Sequence, residues 1–281
     1  MTTLANIRDD IRNRLVETTA DFYTNAELLV WINYAIKRFV QRTEWLEKMR
    51  GFALVANQYD YTLASDALKV LAVRYRDQYD VMPLDMAEWF DYVGTFQSTG
   101  VPTQVYRAFP WDTKLRIYPI PSASSEATTV TGSHNTTVTT ITVGDTTDFP
   151  TRGTVIINDS EQVRYTAKTA TTLTGCIRGD GGTTAASYVG AETVKWAELE
   201  VYYTYQPVAL SGDSDTVATP PMFDETIVDY VLSIALQKRD KYALAEKHFK
   251  RAEEYVNRAL EDRTKATRDR YPNFKDVSGE V

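Results

Sequence analysis

The chain has 281 residues, 43% of them hydrophobic and 25% charged, which is ordinary globular composition and enough to bury a core in one large domain or two smaller ones. A formal net charge of -7 argues against a general nucleic-acid binder, which carries a basic domain. The single cysteine, Cys176, excludes an internal disulfide framework and fits synthesis in a reducing cytoplasm. No apolar run reaches the roughly 18 residues of a membrane span, and Met1-Thr2-Thr3-Leu4 lacks the basic start and apolar core of a signal peptide.

The first segment reads as helix, because Ile7, Ile11 and Leu15 recur at i, i+4 and i+8. Thr24-Asn25-Ala26-Glu27 has capping-box spacing. The helix it opens carries Leu28, Trp31, Ile32, Ala35, Ile36 and Phe39 on one side, and the two helices are expected to pack antiparallel. From Gly51 to Val73 the pattern turns to strands, with Tyr59, Tyr61 and Leu63 alternating, and Val70 and Ala72 likewise. Met82 to Val93 reads as a short helix with Pro83 in its first turn. Strands are expected again at 104–109 and 114–119.

Between residues 122 and 193 the composition shifts. Twenty of these 72 residues are threonine, and only Phe149, Tyr165 and Tyr188 are aromatic. Runs at 138–143, 154–157, 163–166 and 172–177 alternate with turn-rich pieces, which predicts a small all-β barrel or sandwich rather than a disordered linker. Ile141, Val155, Ile156, Ile157, Val163 and Ile177 are its candidate core. Beyond it, Leu199, Val201, Tyr203 and Tyr205 alternate and are expected to form a hairpin with the strand Leu115–Tyr118, the β-module being inserted at its tip. Pro220-Pro221 and Asp224 open a helix carrying Ile227, Val231 and Ile234. A break at Arg239-Asp240-Lys241 precedes a second helix with Phe249, Ala252 and Val256, and a mixed-charge tail follows from Thr264. The expected class is therefore α+β: a helical core with a small antiparallel sheet from residues 1–121 and 196–265, an inserted all-β module at 122–195, and an extended tail at 266–281.

Catalytic and cofactor motifs are sparse. His134 and His248 each lack a neighbour at metal-ligand spacing and read as solvated side chains. Cys176 reads as a buried structural thiol. Gly179-Asp180-Gly181-Gly182 is followed by no helix pattern and reads as a turn rather than a phosphate cradle. Arg178-Gly179-Asp180 spells an adhesion tripeptide that such a turn explains without a receptor. Glu198 with Glu200, and Asp213 with Asp215, would serve as acid and base only in a cleft, and their neighbours indicate a strand face and a loop. No catalytic, cofactor or metal residue is assigned, and no enzyme activity is expected.

The order of elements resembles the head-to-tail adaptor, or connector, proteins of tailed bacteriophages. The residues that carry the likeness are Glu27–Asn33, Tyr59–Leu63 leading into Lys69–Val73, Leu115–Pro121 before a Tyr-rich strand, and Pro220–Phe223 before two C-terminal helices. The insert separately resembles small β-modules of phage structural proteins, through Asp148–Pro150, Gly153–Asn158, Glu161–Tyr165 and Leu173–Gly179. The adaptor resemblance implies a virion protein of the neck, made in the bacterial cytoplasm. It implies a ring of about twelve copies between portal and a tail or nozzle protein, around a channel that DNA traverses without specific contacts. It also implies a C-terminal segment that reaches the portal, where Arg263, Lys265, Arg268, Arg270, Tyr271 and Phe274 are the candidate contacts; a frayed terminus is the alternative. A second reading is another tail or baseplate component whose β-module decorates the surface or binds host glycan. The insert offers only Tyr165 and Tyr188 as platforms for a sugar.

Overall fold

The structure is a computed structural model that describes residues 2–17, 20–76, 79–83, 105 and 107–270, with the backbone alone at 79–80, 82–83 and 265–270. The chain forms two compact units, one from residues 1–47 and 204–281 and the other from 48–203.

The first unit holds the helices. α1 (Leu4–Leu15) starts at Thr3, whose hydroxyl accepts from the Asn6 backbone N–H in a capping box, and it buries Leu4, Ile7, Ile11 and Leu15. α2 (Asn25–Thr43) starts at the expected box: Thr24 accepts from the Glu27 backbone N–H and Glu27 reaches back to the Thr24 N–H. A 3-10 turn at Pro221–Phe223 leads into α3 (Asp224–Lys238), which has Asp224 and Glu225 in its first turn, where the helix dipole favours acid. α3 is enclosed nearly all round, with Ile227, Val228, Tyr230, Val231 and Leu232 all buried. Asp240, with φ at 56°, makes the sharp stop before α4 (Tyr242–Arg270). Leu28, Ile32 and Phe39 of α2 join α1, α3 and Val256 of α4 in one core, each large apolar side chain contributing roughly 1.5–3 kcal/mol by leaving water. α4 continues to Arg270, so residues 266–270 are helical rather than the start of an extended tail.

The second unit holds small sheets. One has the order β1-β16-β3-β4, from β1 (Glu47–Phe52), β3 (Ala67–Tyr75), β4 (Tyr79–Asp80) and β16 (Leu199–Tyr205). Another has the order β2-β7-β6-β5, from β2 (Asp60–Thr62), β5 (Met82–Pro83), β6 (Arg107–Trp111) and β7 (Lys114–Tyr118). β6 and β7 form a tight hairpin, Trp111 opposite Lys114, with Asp112 at φ 53° in the turn.

Three expectations are corrected here. β7 does not pair with β16: β2 and β6 occupy both its edges, while β16 lies between β1 and β3. Alternation identifies a strand's two faces, and it does not identify the strand's neighbour. Nor do β16 and β3 alternate strictly; Leu199, Glu200 and Val201 are buried in succession, as are Leu71, Ala72 and Val73, as befits strands interior to a covered sheet. Met82 and Pro83 open no helix but form an edge strand parallel to β6. An edge position suits proline, which lacks the N–H of a ladder. The remainder of that expected helix lies outside the described residues.

Residues 122–196 carry two more sheets. A five-stranded one has the order β14-β11-β10-β15-β8, from β8 (Ala127–Thr129), β10 (Gly153–Ile157), β11 (Glu161–Tyr165), β14 (Ile177–Asp180) and β15 (Thr193–Trp196). A three-stranded one has the order β12-β13-β9, from β9 (Thr140–Thr142), β12 (Ala167–Lys168) and β13 (Thr172–Thr174). Ile141 and Leu173 from the smaller sheet share a core with Val155, Ile157, Val163 and Val194 from the larger. No sheet closes into a barrel among the described residues. Ile177 stands 52% exposed instead of in the core, and Cys176 is buried in its place. Gly175, at φ 63°, turns the chain there, and a Cβ at Gly175 would lie 2.0 Å from the Thr166 hydroxyl.

Candidate partner-binding surface

The candidate contact residues lie toward the end of α4. Arg263 is only 13% exposed and spends its charge inside the protein: Nη1 donates to Glu44 Oε2 at 2.9 Å, and Nη2 lies 3.8 Å from Glu47 Oε1. Glu44 is the C-cap of α2, where an acid opposes the helix dipole, and the guanidinium offsets that cost. Earlier in α4, Glu253 receives Arg38 at 3.1 Å, Arg42, and the Tyr230 hydroxyl at 2.7 Å. The two ion pairs tie α4 to α2, and the tyrosine hydroxyl ties it to α3. Lys265, Arg268 and Arg270 continue on the same helical backbone. Tyr271 and Phe274 lie outside the described residues. Glu44 and Arg263 are 219 positions apart, so no local signal in the sequence announces their pairing.

The groups considered for chemistry have structural partners. Glu198 accepts from the Tyr75 hydroxyl and from Arg76 Nε at 2.7 Å, and Glu200 accepts from Tyr202 and Thr154. Asp213 takes both arms of Arg8, at 2.6 and 2.9 Å, which holds its carboxyl below the usual range. Asp215 accepts from the backbone N–H groups of Ser211 and Gly212 and is likewise held low. Cys176 is 6% exposed, and burial pushes its thiol up to about 11. Among the described residues, no group of three or more His, Cys, Asp or Glu is placed to hold a metal ion. Likewise, no described helix is long and apolar enough to cross a membrane.

Two readings of exposed polar residues are corrected. His248 is not a solvated side chain, since its Nδ1 lies 2.9 Å from Asp229, a fully buried carboxylate that also binds Arg251. The partner is 19 positions away on α3, beyond the reach of a search for local spacing. Arg178-Gly179-Asp180 does not lie in a turn but in β14. Arg178 is buried and donates through Nε and Nη2 to Glu161 at 2.7 and 2.8 Å, while Asp180 pairs with Arg164 at 2.9 Å. The tripeptide is therefore not presented to a receptor. Tyr165 and Tyr188, the two sugar platforms considered in the insert, are 1% and 3% exposed and bond to Pro150 O and Glu161. Neither ring offers a face to a glycan.

Comparison with protein families finds a match to the family described as SU10 adaptor protein over residues 2–276. No curated protein matches the chain significantly.

Proposed function

The chain belongs to the SU10 adaptor protein family, phage structural adaptors of the virion neck, and from that premise we propose that it forms a ring between the portal and a tail or nozzle protein. The observation that carries this reading is the family match over nearly the whole chain. The ring, of about twelve copies, lines a channel for the genome. A chain with net charge -7 suits passage of DNA without gripping it, because phosphate affinity comes from Lys and Arg contacts. We assign the portal contact to the last turns of α4 and the segment beyond, with Lys265, Arg268, Arg270, Tyr271 and Phe274 as contact residues. Arg263 anchors that helix to Glu44 at its base and acts there as a positioning residue. The reading of the insert as a glycan-binding decoration loses support from the burial of Tyr165 and Tyr188.

Co-purification with the portal protein encoded beside this gene tests the assignment. Full-length chain is expected to be retained by the portal and a version ending at Lys265 to be lost. Retention of both moves the interface away from the C-terminal segment, and retention of neither contradicts the adaptor role.

A further inference from the structure

β1 is an outer strand: in the order β1-β16-β3-β4 it has a strand neighbour on one side only. Alternate residues of a strand turn their N–H and C=O groups to the same edge. At Met49 and Gly51 those groups meet the side chain of Gln162, on β11, in place of a strand. Gln162 Oε1 accepts from the Gly51 N–H at 2.7 Å, and Nε2 donates to Met49 O at 3.4 Å. A residue on a parallel neighbouring strand makes this same pair of bonds, to one carbonyl and from the N–H two residues on. Gln162 is 2% exposed, and its Nε2 also donates to Asp180 Oδ2 at 3.2 Å. Its amide oxygen thus faces the one donor and its amide nitrogen faces acceptors.

The backbone after β14 presses on the same place. Gly181 has φ 64°, and a Cβ there would lie 2.6 Å from Met49 O and 2.7 Å from Gln162 Nε2, so only glycine fits. Beyond β1 the cover continues. The Leu54 N–H donates to Ser125 Oγ at 2.7 Å while Leu54 O accepts from the Ser125 N–H at 2.9 Å, and the Ala56 N–H donates to Ser124 Oγ at 3.1 Å. Bare edge groups are a template for another strand, and every copy of this chain carries the same β1, so two bare β1 edges could pair about a two-fold axis. We infer that Gln162, backed by Gly181, is an autoinhibitory contact that closes the β1 edge against strand addition by a second copy of this chain. The inference does not rest on the portal assignment, since none of these residues belongs to α4.

Hydrogen exchange in the full chain, read by mass spectrometry on overlapping peptides that isolate the Gly51 amide, tests it. In the native chain this amide is expected to exchange at least about a thousandfold more slowly than in the unfolded chain, whatever the protein concentration. Gln162→Leu removes both bonds at similar volume and is expected, in dilute solution, to speed exchange at Gly51 at least about tenfold. In concentrated solution the variant's Gly51 amide is expected to slow again as two edges pair, with a dimer in sedimentation velocity that the native chain lacks. Should Gln162→Leu show no cooperative urea transition, Gln162→Glu takes its place with the same expectations, because it lacks the donor for Met49 O and sets a carboxylate against Asp180. The inference is overturned by a Gly51 amide that exchanges in the native chain as fast as in the unfolded one, or by an unchanged rate in the variant. A variant whose Gly51 exchange stays fast at every concentration overturns the assignment to a second copy.

Discussion

Glu161 is fully buried at the start of β11 and accepts from Arg178, from the backbone N–H groups of Gly179 and Ala186, and from the Tyr188 hydroxyl. Burial alone would raise its pKa, but those donors outweigh it and hold the carboxyl below 4.5. Its unfolded form therefore takes up a proton first as pH falls. The stability it contributes is complete above about pH 4.5 and is lost as pH drops through the lower folded value. Glu161→Gln leaves Arg178 as a buried cation without a counter-charge, and is expected to cost about 3–5 kcal/mol in urea unfolding. A loss below about 0.5 kcal/mol, the range of ordinary surface changes, would contradict this account. Cys176 gives a second check. With its pKa near 11, about one thiol in a thousand is ionised at pH 8. A disulfide reagent should leave the native protein unmodified over the time in which it labels the unfolded chain completely.

Among the elements, the α3–α4 pair is joined around Asp229, which bonds to His248 and Arg251. Arg251 is 45% exposed and can return to water, so Asp229→Asn is expected to cost about 2 kcal/mol rather than the full cost of stranding a buried cation. Calorimetry of the two proteins checks it, and an unchanged melting temperature would show that the carboxylate adds nothing. The helices were legible in the sequence because each buries one face: Ile7, Ile11 and Leu15 mark α1, and Thr24 with Glu27 marks where α2 begins. Strand positions between residues 122 and 195 were legible from β-branched runs between turns, and Asn158 and Asp159, both left-handed, form one of those turns. Strand partners were not. β7 and β16 follow similar local rules, and their neighbours are set by long-range packing that no window of residues contains. Pro83 fits a first helical turn and an edge strand equally well, and the sequence holds nothing local that separates the two.

For the whole molecule, the core around Ile141, Val155 and Leu173 draws, among the described residues, only on residues 130–196. A polypeptide of residues 122–197 is accordingly expected to fold alone and to unfold cooperatively in urea with dispersed amide NMR signals. A chain that remains unfolded would show instead that the module needs the rest of the unit. The packing role of Arg263 was not legible in the sequence. Clustered charge drew attention to Arg263, yet its side chain serves the fold through Glu44, a pairing visible only once α2 and α4 are packed. What the molecule does as a whole is tested most directly in infected cells by deleting its gene and imaging the particles in the lysate. An adaptor that joins portal to tail predicts heads that carry the portal and lack any tail or nozzle, with complementation by the full-length chain. Tailed particles in the absence of this chain would contradict the adaptor role.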